Sequence, residues 1–216
     1  MKVKLDVKRL NKKFDSVPAL NEVGFQMFPG EIVIISGPNG SGKTTLLSCL
    51  SGLIRPTSGE IRVDNYDLRQ QEVEVHRRLA FVSDVPRFYV ELTAWEHLRF
   101  IAMANKALEG FKNRAETILT DFGLWDYRDY FPHHYSRGMR LKLGLAFAFI
   151  RPFQVLLLDE PTSALDQESV DVLIDYLGEL KKDEVSILLS SHDPILAERL
   201  GDRKLHIKQG VVTELE

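Results

Sequence analysis

A glycine-rich segment early in the chain has the residue types and spacing of a phosphate-binding loop. Residues 37–44 read Gly-Pro-Asn-Gly-Ser-Gly-Lys-Thr, which matches G-x-x-x-x-G-K-[ST] in full. Its glycines let backbone N–H groups turn inward around phosphate oxygens, an approach that a Cβ would obstruct. We expect Lys43 to reach the β- and γ-phosphates and the Thr44 hydroxyl to ligate Mg²⁺. The residues expected to contact the nucleotide here are Gly37, Asn39, Gly40, Ser41, Gly42, Lys43, Thr44 and Thr45.

The segments on both sides of this loop are the ones that the motif requires. Residues 31–36 form a short apolar, β-branched run, which predicts a strand covered on both faces. Helix formers follow, and they predict a helix through Leu53 whose positive dipole end faces the phosphates. A glycine-rich turn that binds nothing is the alternative. The complete motif with both flanks favours a nucleoside triphosphate site.

Two adjacent acids follow a second apolar strand. Residues 155–158 predict this strand, and Asp159 and Glu160 stand at its end. In doubly wound sheets, ligands lie beyond the carboxyl ends of the strands. We therefore expect Asp159 to hold Mg²⁺ through its water shell and Glu160 to polarise the attacking water as a general base. Solvated turn acids are the alternative, and only the phosphate loop makes the catalytic interpretation the stronger one.

Strand and helix patterns alternate along most of the chain. Thr93 is expected to cap a helix, in a capping box with Glu96, and helical patterns continue to about Ile150. Strands on both sides of this stretch predict an α/β fold with a mostly parallel sheet and an all-helical insertion. The other predicted elements are strands at residues 4–9, 24–27 and 185–190, punctuation at Pro18 and residues 29–30, a turn into a strand at residues 57–64, a helix at residues 167–182 and a hairpin near residues 209–210.

Composition limits the partners that the chain can have. Its 216 residues, 44% of them hydrophobic, suit one domain with one core. A formal net charge of -3 gives no reason to expect nucleic acid as a partner. The single cysteine, Cys49, lies in an apolar helical stretch and is interpreted as a core residue of a protein from a reducing compartment. No apolar run approaches the roughly 20 residues that cross a bilayer, so we expect a cytoplasmic protein whose membrane role comes through a partner.

Further segments complete a resemblance to the nucleotide-binding subunit of ATP-binding cassette (ABC) transporters. The segment Tyr-Ser-Arg-Gly-Met at residues 135–139, hereafter the signature segment, resembles the family's Leu-Ser-Gly-Gly-Gln. Ser163-Ala-Leu-Asp166 resembles the segment that crosses the dimer interface, and His192 in Ser-Ser-His-Asp matches the switch histidine. Phe14 stands where the family places an aromatic that stacks on adenine, with core packing as the alternative.

This resemblance spans nearly the whole chain and implies both a fold and a mechanism. The implied fold is a P-loop NTPase core with a mostly parallel sheet, an N-terminal antiparallel β subdomain and an inserted helical subdomain near residues 85–150, all within one domain of residues 1–216. The implied activity is hydrolysis of ATP with Mg²⁺, with Lys43, Glu160 and His192 as catalytic residues. Two cassettes, from a homodimer or a close paralogue, would sandwich two ATP molecules and power an integral membrane permease from its cytoplasmic face.

The resemblance also implies that each nucleotide contacts both subunits. Ser136 is a suitable N-cap for the helix that follows it, and the dipole of that helix suits an anion. In the family, Ser136 and Gly138 would contact the γ-phosphate held by the other subunit. Asp166 would lie at the same interface.

Two departures from the family pattern change the charge near the implied site. Asp84 stands where the family usually has a glutamine that contacts Mg²⁺ and water, so Asp84 is expected to approach the metal. Arg137 replaces the first signature glycine and Met139 replaces the glutamine. Such variants resemble those of export-type cassettes with separate permeases, which makes export the expected direction.

Two other classes of protein share part of this pattern. Non-transport cassettes, which act on ribosomes or DNA, usually carry two cassettes or a long coiled coil before the signature segment. This chain has one cassette and no sustained heptads. Small P-loop kinases lack both the signature segment and the switch histidine.

Overall fold

The computed structural model describes residues 2–192 and 194–215 as two compact units. Unit 1 comprises Met1–Phe81, Phe153–Glu160 and Tyr176–Glu216, and unit 2 comprises Val82–Pro152 and Pro161–Asp175. Asp193, which ends the Ser-Ser-His-Asp segment, lies outside the described residues. In the part of the chain that is described, no helix has the length and apolar composition that a membrane span requires.

The elements occur in the alternating order that the sequence predicts. The strands are β1 (Leu5–Phe14), β2 (Val17–Met27), β3 (Ile32–Ser36), β4 (Ser58–Val63), β5 (Tyr66–Asp67), β6 (Leu79–Val82), β7 (Val155–Asp159), β8 (Ser186–Ser190), β9 (Arg203–Lys208) and β10 (Val211–Leu215). The helices are α1 (Lys43–Leu50), α2 (Glu72–Arg78), α3 (Ala94–Ala104), α4 (Phe111–Asp121), α5 (Arg137–Phe149), α6 (Gln167–Lys182) and α7 (Pro194–Leu200), with 3₁₀ turns at Trp125–Tyr127 and Pro132–His134.

The first sheet of unit 1 is antiparallel and has the order β2-β1-β4-β5. Its strands β1 and β2 are longer than predicted, and Pro18 lies inside β2 opposite Lys13 instead of ending a strand. The prediction at Pro18 was wrong because β2 is an edge strand. An edge position tolerates a residue without an N–H, since no neighbouring strand needs the missing donor.

The second sheet has the order β10-β9-β3-β8-β7-β6, and β3, β7, β8 and β9 pair in parallel. Every residue of β7 and β8 is buried, as expected for parallel strands covered on both faces. The chain closes with the predicted hairpin of β9 and β10, where Gln209 and Gly210 both have positive φ. The mostly parallel sheet and the N-terminal antiparallel sheet confirm the predicted fold class. One consequence is that β3, β7 and β8 end at the same edge of the sheet.

Helix α1 is shorter than predicted. It ends at Leu50, and Leu53 is 71% exposed. Gly52 has a φ of +82°, a left-handed conformation that terminates helices at little steric cost to glycine. Cys49 is fully buried in the core, as predicted, and burial raises the pKa of its thiol to about 11.

Unit 2 contains the helices α3, α4 and α5, which pack on one another through apolar faces that include Leu98, Leu119 and Leu145. The predicted capping box opens α3. The Thr93 hydroxyl accepts from the Glu96 N–H at 3.2 Å, and the Glu96 carboxylate accepts from the Thr93 N–H at 2.9 Å. These bonds satisfy two backbone donors at the start of the helix.

Replacing Thr93 by Ala is expected to lower the free energy of unfolding by about 0.5–2 kcal/mol, because one helix donor loses its acceptor. Urea denaturation measures the loss. Thr117→Ala, an exposed position inside α4, is the control and is expected to stay within about 0.5 kcal/mol of wild type. Equal effects of the two changes would contradict a capping role for Thr93.

Candidate functional site

The phosphate loop lies between the end of β3 and the start of α1. Gly42, the residue before α1, has a φ of +114°, and an added Cβ would lie 2.8 Å from the carbonyl oxygen of Ala19. Only glycine fits this position without displacing the backbone. No side chain caps α1, so its first N–H groups and its positive dipole end are available to an anion.

Ser41 supplies independent support for a ligand in the loop. Its hydroxyl is buried and has no hydrogen-bond partner among residues 2–192 and 194–215. It lies against Gly37, where an added Cβ would be 3.0 Å from the Ser41 Oγ. A buried polar atom normally has a partner, and a phosphate oxygen would provide one here. Of the other predicted loop residues, Asn39, Gly40 and Thr44 are exposed and Thr45 is half-buried.

Lys43 is buried at 7% exposure within this loop. Its ammonium donates hydrogen bonds to the carbonyl oxygens of Gly37 at 2.7 Å and Pro38 at 3.4 Å. It also lies 3.1 Å from the Nε2 of His192. The cation is thus held inside the loop by backbone dipoles, at the centre of the predicted phosphate site.

One hydroxyl orients both acids at the end of β7. The Ser190 Oγ donates to the Asp159 Oδ1 at 2.7 Å and accepts from the Glu160 backbone N–H at 2.9 Å. Asp159 and Ser190 are paired in the parallel register of β7 and β8, which explains their contact. Asp159 is 2% exposed, so this bond fixes the direction of a buried carboxylate.

Glu160 leaves the strand with a left-handed backbone, at a φ of +47°. Few non-glycine residues adopt this conformation, and it is concentrated at functional sites. The turn takes the Glu160 side chain off the buried path of β7 and leaves it partly exposed, where it lies near His192.

His192 lies between the cation and the acid. Its Nε2 is 3.1 Å from the Lys43 ammonium and 3.3 Å from the Glu160 Oε1. An unprotonated Nε2 can accept from Lys43, whereas a protonated Nε2 can donate to Glu160. The two contacts therefore require different protonation or tautomeric states of His192.

Phe14 ends β1 with 46% of its surface exposed, which contradicts core packing as its role. The Lys12 ammonium lies 4.7 Å from the ring centroid, in a cation–π arrangement. An exposed aromatic face is what a stacking partner of a base requires.

In unit 2, the signature segment forms the start of α5. Ser136 is its N-cap, as predicted, and its hydroxyl accepts from the Met139 N–H at 3.2 Å. Gly138 packs against the backbone of the Ser163–Asp166 segment, since an added Cβ would lie 2.6 Å from the carbonyl oxygen of Ala164. A side chain at position 138 would push these two segments apart.

Asp166 has both carboxylate oxygens engaged at the start of α6. Oδ1 accepts from the backbone N–H and the hydroxyl of Ser169, and Oδ2 pairs with Lys142 of α5 at 2.9 Å. The hydrogen bonds from Ser169, followed by the bond from Lys142, hold the pKa of Asp166 well below its usual range. This geometry is that of a helix cap tied to α5.

Asp84, Arg137 and Ser163 form a second polar cluster in unit 2. The Arg137 Nη2 donates to the Asp84 Oδ1 at 2.9 Å and Oδ2 at 3.1 Å, and the Ser163 Oγ donates to the Asp84 Oδ1 at 2.6 Å. Both carboxylate oxygens of Asp84 thus accept protein hydrogen bonds. Motif matching considered Asp84 and Arg137 separately, and nothing in their spacing along the chain indicated that they meet.

The motifs also gave no role to Ser190 or Lys142. Ser190 could have been noticed as a hydroxyl that ends an otherwise apolar strand next to the strand of Asp159. Lys142 is one of several basic residues near the start of α5, and its spacing alone does not distinguish it.

The donor chemistry of unit 1 fits a magnesium ion. Mg²⁺ is held in proteins by one or two carboxylates and keeps several waters, and the Thr44 hydroxyl and the Asp159 carboxylate are donors of this kind. No cluster of three or more His, Cys, Asp or Glu side chains suited to a metal occurs within the described ranges. A magnesium ion held by these two donors would take the rest of its coordination from water and phosphate.

Comparison with known proteins identifies the family. A family model described as ABC transporter matches residues 20–163. The chain is 31% identical to the ABC-type transporter ATP-binding protein EcsA of Bacillus subtilis, over 96% of this chain and 85% of the relative. It is also 31% identical to the methionine import ATP-binding protein MetN of Chlamydia abortus, over 97% of this chain and 64% of that longer relative.

A solved structure supports the same assignment. MJ0796, a bacterial ABC transporter cassette captured as a dimer after hydrolysis with ADP and Pi, superimposes with a TM-score of 0.89 at 27% identity. The alignment covers 98% of each chain. The chain therefore belongs to the ABC transporter family, as one of its ATP-binding and ATP-hydrolysing subunits.

Proposed function

We propose that the chain is one of two cassettes that enclose two molecules of Mg-ATP and drive a separate membrane permease. The contact of Lys43, Glu160 and His192 beside one phosphate loop carries this proposal. Both Lys43 and Glu160 lie within 3.3 Å of the same His192 nitrogen. A buried ammonium, an acid and an imidazole in contact are the groups needed to bind a triphosphate and activate water.

In the proposed reaction, a water oxygen forms a bond to the γ-phosphorus while the bond to the β–γ bridging oxygen breaks. ADP leaves with the electron pair of that bond, and Glu160 takes the proton from the water. Lys43 offsets the negative charge on the β- and γ-phosphates, and His192 contacts the γ-phosphate. Ser190 holds Asp159 and the Glu160 backbone so that the two acids keep their relative position.

Thr44 and Asp159 are the proposed metal residues. Mg²⁺, when bound, supplies positive charge that stabilises the charge on the transferring phosphoryl group. Asp159 and Thr44 would hold it directly or through water. Asp84, which the resemblance led us to expect near the metal, accepts bonds from Arg137 and Ser163 within unit 2, so no contact with the metal is proposed for it.

The second subunit is proposed to complete each site. Ser136 and Gly138 belong to unit 2, at the N-terminal end of α5, where backbone N–H groups and the helix dipole favour an anion. Together with the interface segment that ends at Asp166, they would contact the γ-phosphate bound by the partner's phosphate loop. MJ0796, a related cassette, is a dimer bound to ADP and Pi, which supports the pairing of two cassettes.

The assembly is proposed to lie at the cytoplasmic face of a membrane, with residues 1–216 working as one domain and residues 85–150 as its helical subdomain. The partner cassette is a second copy or a close paralogue, and no nucleic acid takes part. Export is the proposed direction, on the resemblance of the signature segment to export-type cassettes. Because MetN is an import protein, the direction needs its own test, which is ATP-driven movement of cargo in vesicles that carry the permease in known orientation.

Lys43→Ala is expected to abolish tight ATP binding, because no other described cation lies inside the phosphate loop. Titration with a fluorescent ATP analogue measures the affinity. Lys112→Ala, which removes the same charge from an exposed position in α4, is the control and is expected to bind normally. Unchanged affinity in Lys43→Ala would place the nucleotide elsewhere.

Glu160→Gln is expected to bind ATP normally and to lower kcat by about 10²–10⁴-fold, because the amide cannot accept the proton from water. Glu184→Gln is a matched control, since Glu184 also has a left-handed backbone, with a φ of +61°, and is exposed in unit 1. Phosphate release from both variants is compared with wild type. A loss of less than about tenfold in Glu160→Gln would exclude this residue as the base.

The Glu160→Gln variant is also expected to dimerise when ATP and Mg²⁺ are added, because the bound nucleotide becomes part of a two-fold interface. Sedimentation with and without ATP detects the change. Adding Ser136→Arg to this variant is expected to prevent it, since a bulky side chain would fill the proposed γ-phosphate contact. A monomer that persists at high protein concentration and saturating ATP, alone and with any paralogous cassette, would overturn the shared site.

A further inference from the structure

Two loops and the start of a helix in unit 2 meet at a single guanidinium nitrogen. Asp84 follows β6, Arg137 is the first residue of α5, and Ser163 lies in the segment between β7 and α6. The Arg137 Nη2 contacts both oxygens of Asp84, at 2.9 and 3.1 Å, and the Ser163 Oγ at 3.3 Å. The Ser163 hydroxyl in turn donates to Asp84 at 2.6 Å. Each of the three side chains therefore contacts the other two.

This cluster is too exposed to contribute much to folding. The side chains of Arg137 and Asp84 are 57% and 33% exposed. Ion pairs at such positions add little to stability, since water and salt screen them and the side chains lose entropy on pairing. What the contact does provide is a defined distance between the loop of Asp84 and the start of α5.

Two neighbouring contacts also hold the first turns of α5 in place within unit 2. Gly138 packs on the carbonyl of Ala164, and Lys142 pairs with Asp166 at 2.9 Å. The signature helix is thus already attached to the segment of residues 163–166 at two points. Arg137 adds the third attachment and joins the first turn of α5 to Asp84, whereas Gly144 and Phe147, further along α5, pack on Pro86 and Phe88 of the same loop.

We propose that Arg137 and Asp84 are a pair of positioning residues that hold the signature segment in register with the Asp84 loop. They are also the two positions at which the sequence departs from the usual family residues by a change of charge. Each departure supplies what the other requires, because a guanidinium at position 137 needs a carboxylate and Asp84 needs a cation. The proposal rests on the shared nucleotide site, since it concerns how Ser136 and Gly138 are presented to the partner's γ-phosphate.

A dependence of each residue on the other follows from this geometry. Removing Asp84 alone leaves Arg137 without its carboxylate, and removing Arg137 alone leaves the Asp84 anion with only Ser163 as a partner. Removing both leaves no unpaired charge. The fold-loss of kcat in the double variant should therefore be smaller than the product of the fold-losses in the two single variants.

The test is a double-mutant cycle of Asp84→Asn, Arg137→Gln and the two together, with kcat and KM for ATP measured by phosphate release. Each single variant is expected to lower kcat by at least about threefold. The double variant is expected to lose no more kcat than the less impaired of the two single variants. The coupling between the two changes would then lie within the range usual for residues in contact. KM should stay within about twofold of wild type, because neither residue belongs to the phosphate loop and both are proposed to act through Ser136 and Gly138. Arg137→Lys, which keeps the charge, is expected to recover part of the kcat lost in Arg137→Gln.

Arg99→Gln is the matched control, because it removes the same charge from an exposed position of α3 in the same unit. It is expected to keep the wild-type kcat. Thermal unfolding of all variants should agree within a few degrees, as the exposure of the pair implies. The pairing would be overturned if the fold-loss of kcat in the double variant equalled the product of the two single losses. It would also be overturned if the single variants kept the wild-type kcat.

A second measurement separates this proposal from the shared site itself. Asp84→Asn and Arg137→Gln are each placed in the Glu160→Gln background, and ATP-driven dimerisation is followed by sedimentation. The single changes are expected to raise the ATP concentration needed for dimerisation, and the double change to restore it. If Glu160→Gln alone fails to dimerise, the shared site is wrong; if it dimerises and the added changes have no effect, only the positioning pair is wrong.

Discussion

The parallel pairing of β3, β8 and β7 is the constraint on which the chemistry of unit 1 depends. Three strands that run in the same direction must end at the same edge, so the phosphate loop after β3, the acids after β7 and the histidine after β8 are brought together by backbone hydrogen bonds. The register is specific to one residue, since it places Ser190 beside Asp159. A shift by one position would turn the Ser190 hydroxyl to the opposite face of the sheet and leave Asp159 without its donor.

The two units use polar groups in different ways. Unit 1 buries Lys43 and Asp159 and compensates them with carbonyl oxygens and one hydroxyl, which suits a site that must hold a highly charged ligand in a fixed position. Unit 2 keeps Arg137 and Asp166 largely exposed and joins short loops through them. Exposed pairs of this kind can exchange partners at small energetic cost, which suits the proposed role of this surface in meeting a second subunit.

The sequence predicted the fold class and several local features well because their signals are local. A complete phosphate loop, a capping box and buried strands are each determined by neighbouring residues, and all appear where expected. The strand break predicted at Pro18 and the helix predicted through Leu53 were wrong because both depend on context. Pro18 is tolerated inside β2 because β2 is an edge strand, and α1 ends early because a glycine follows two residues after Leu50. The Asp84–Arg137 contact joins residues from distant parts of the chain, so no local pattern could reveal it. Ser190 was overlooked for the same reason, since its role depends on the register with β7.

The buried thiol of Cys49 makes this chain convenient for site-specific labelling. It is the single cysteine of the sequence, it has no exposed surface, and burial raises its pKa to about 11, so almost no reactive thiolate is present near neutral pH. A cysteine introduced at an exposed position would react with a maleimide dye while Cys49 stayed silent. Fluorescence and spin-label studies of the folded protein can therefore begin from the natural sequence, without first replacing a residue of the core.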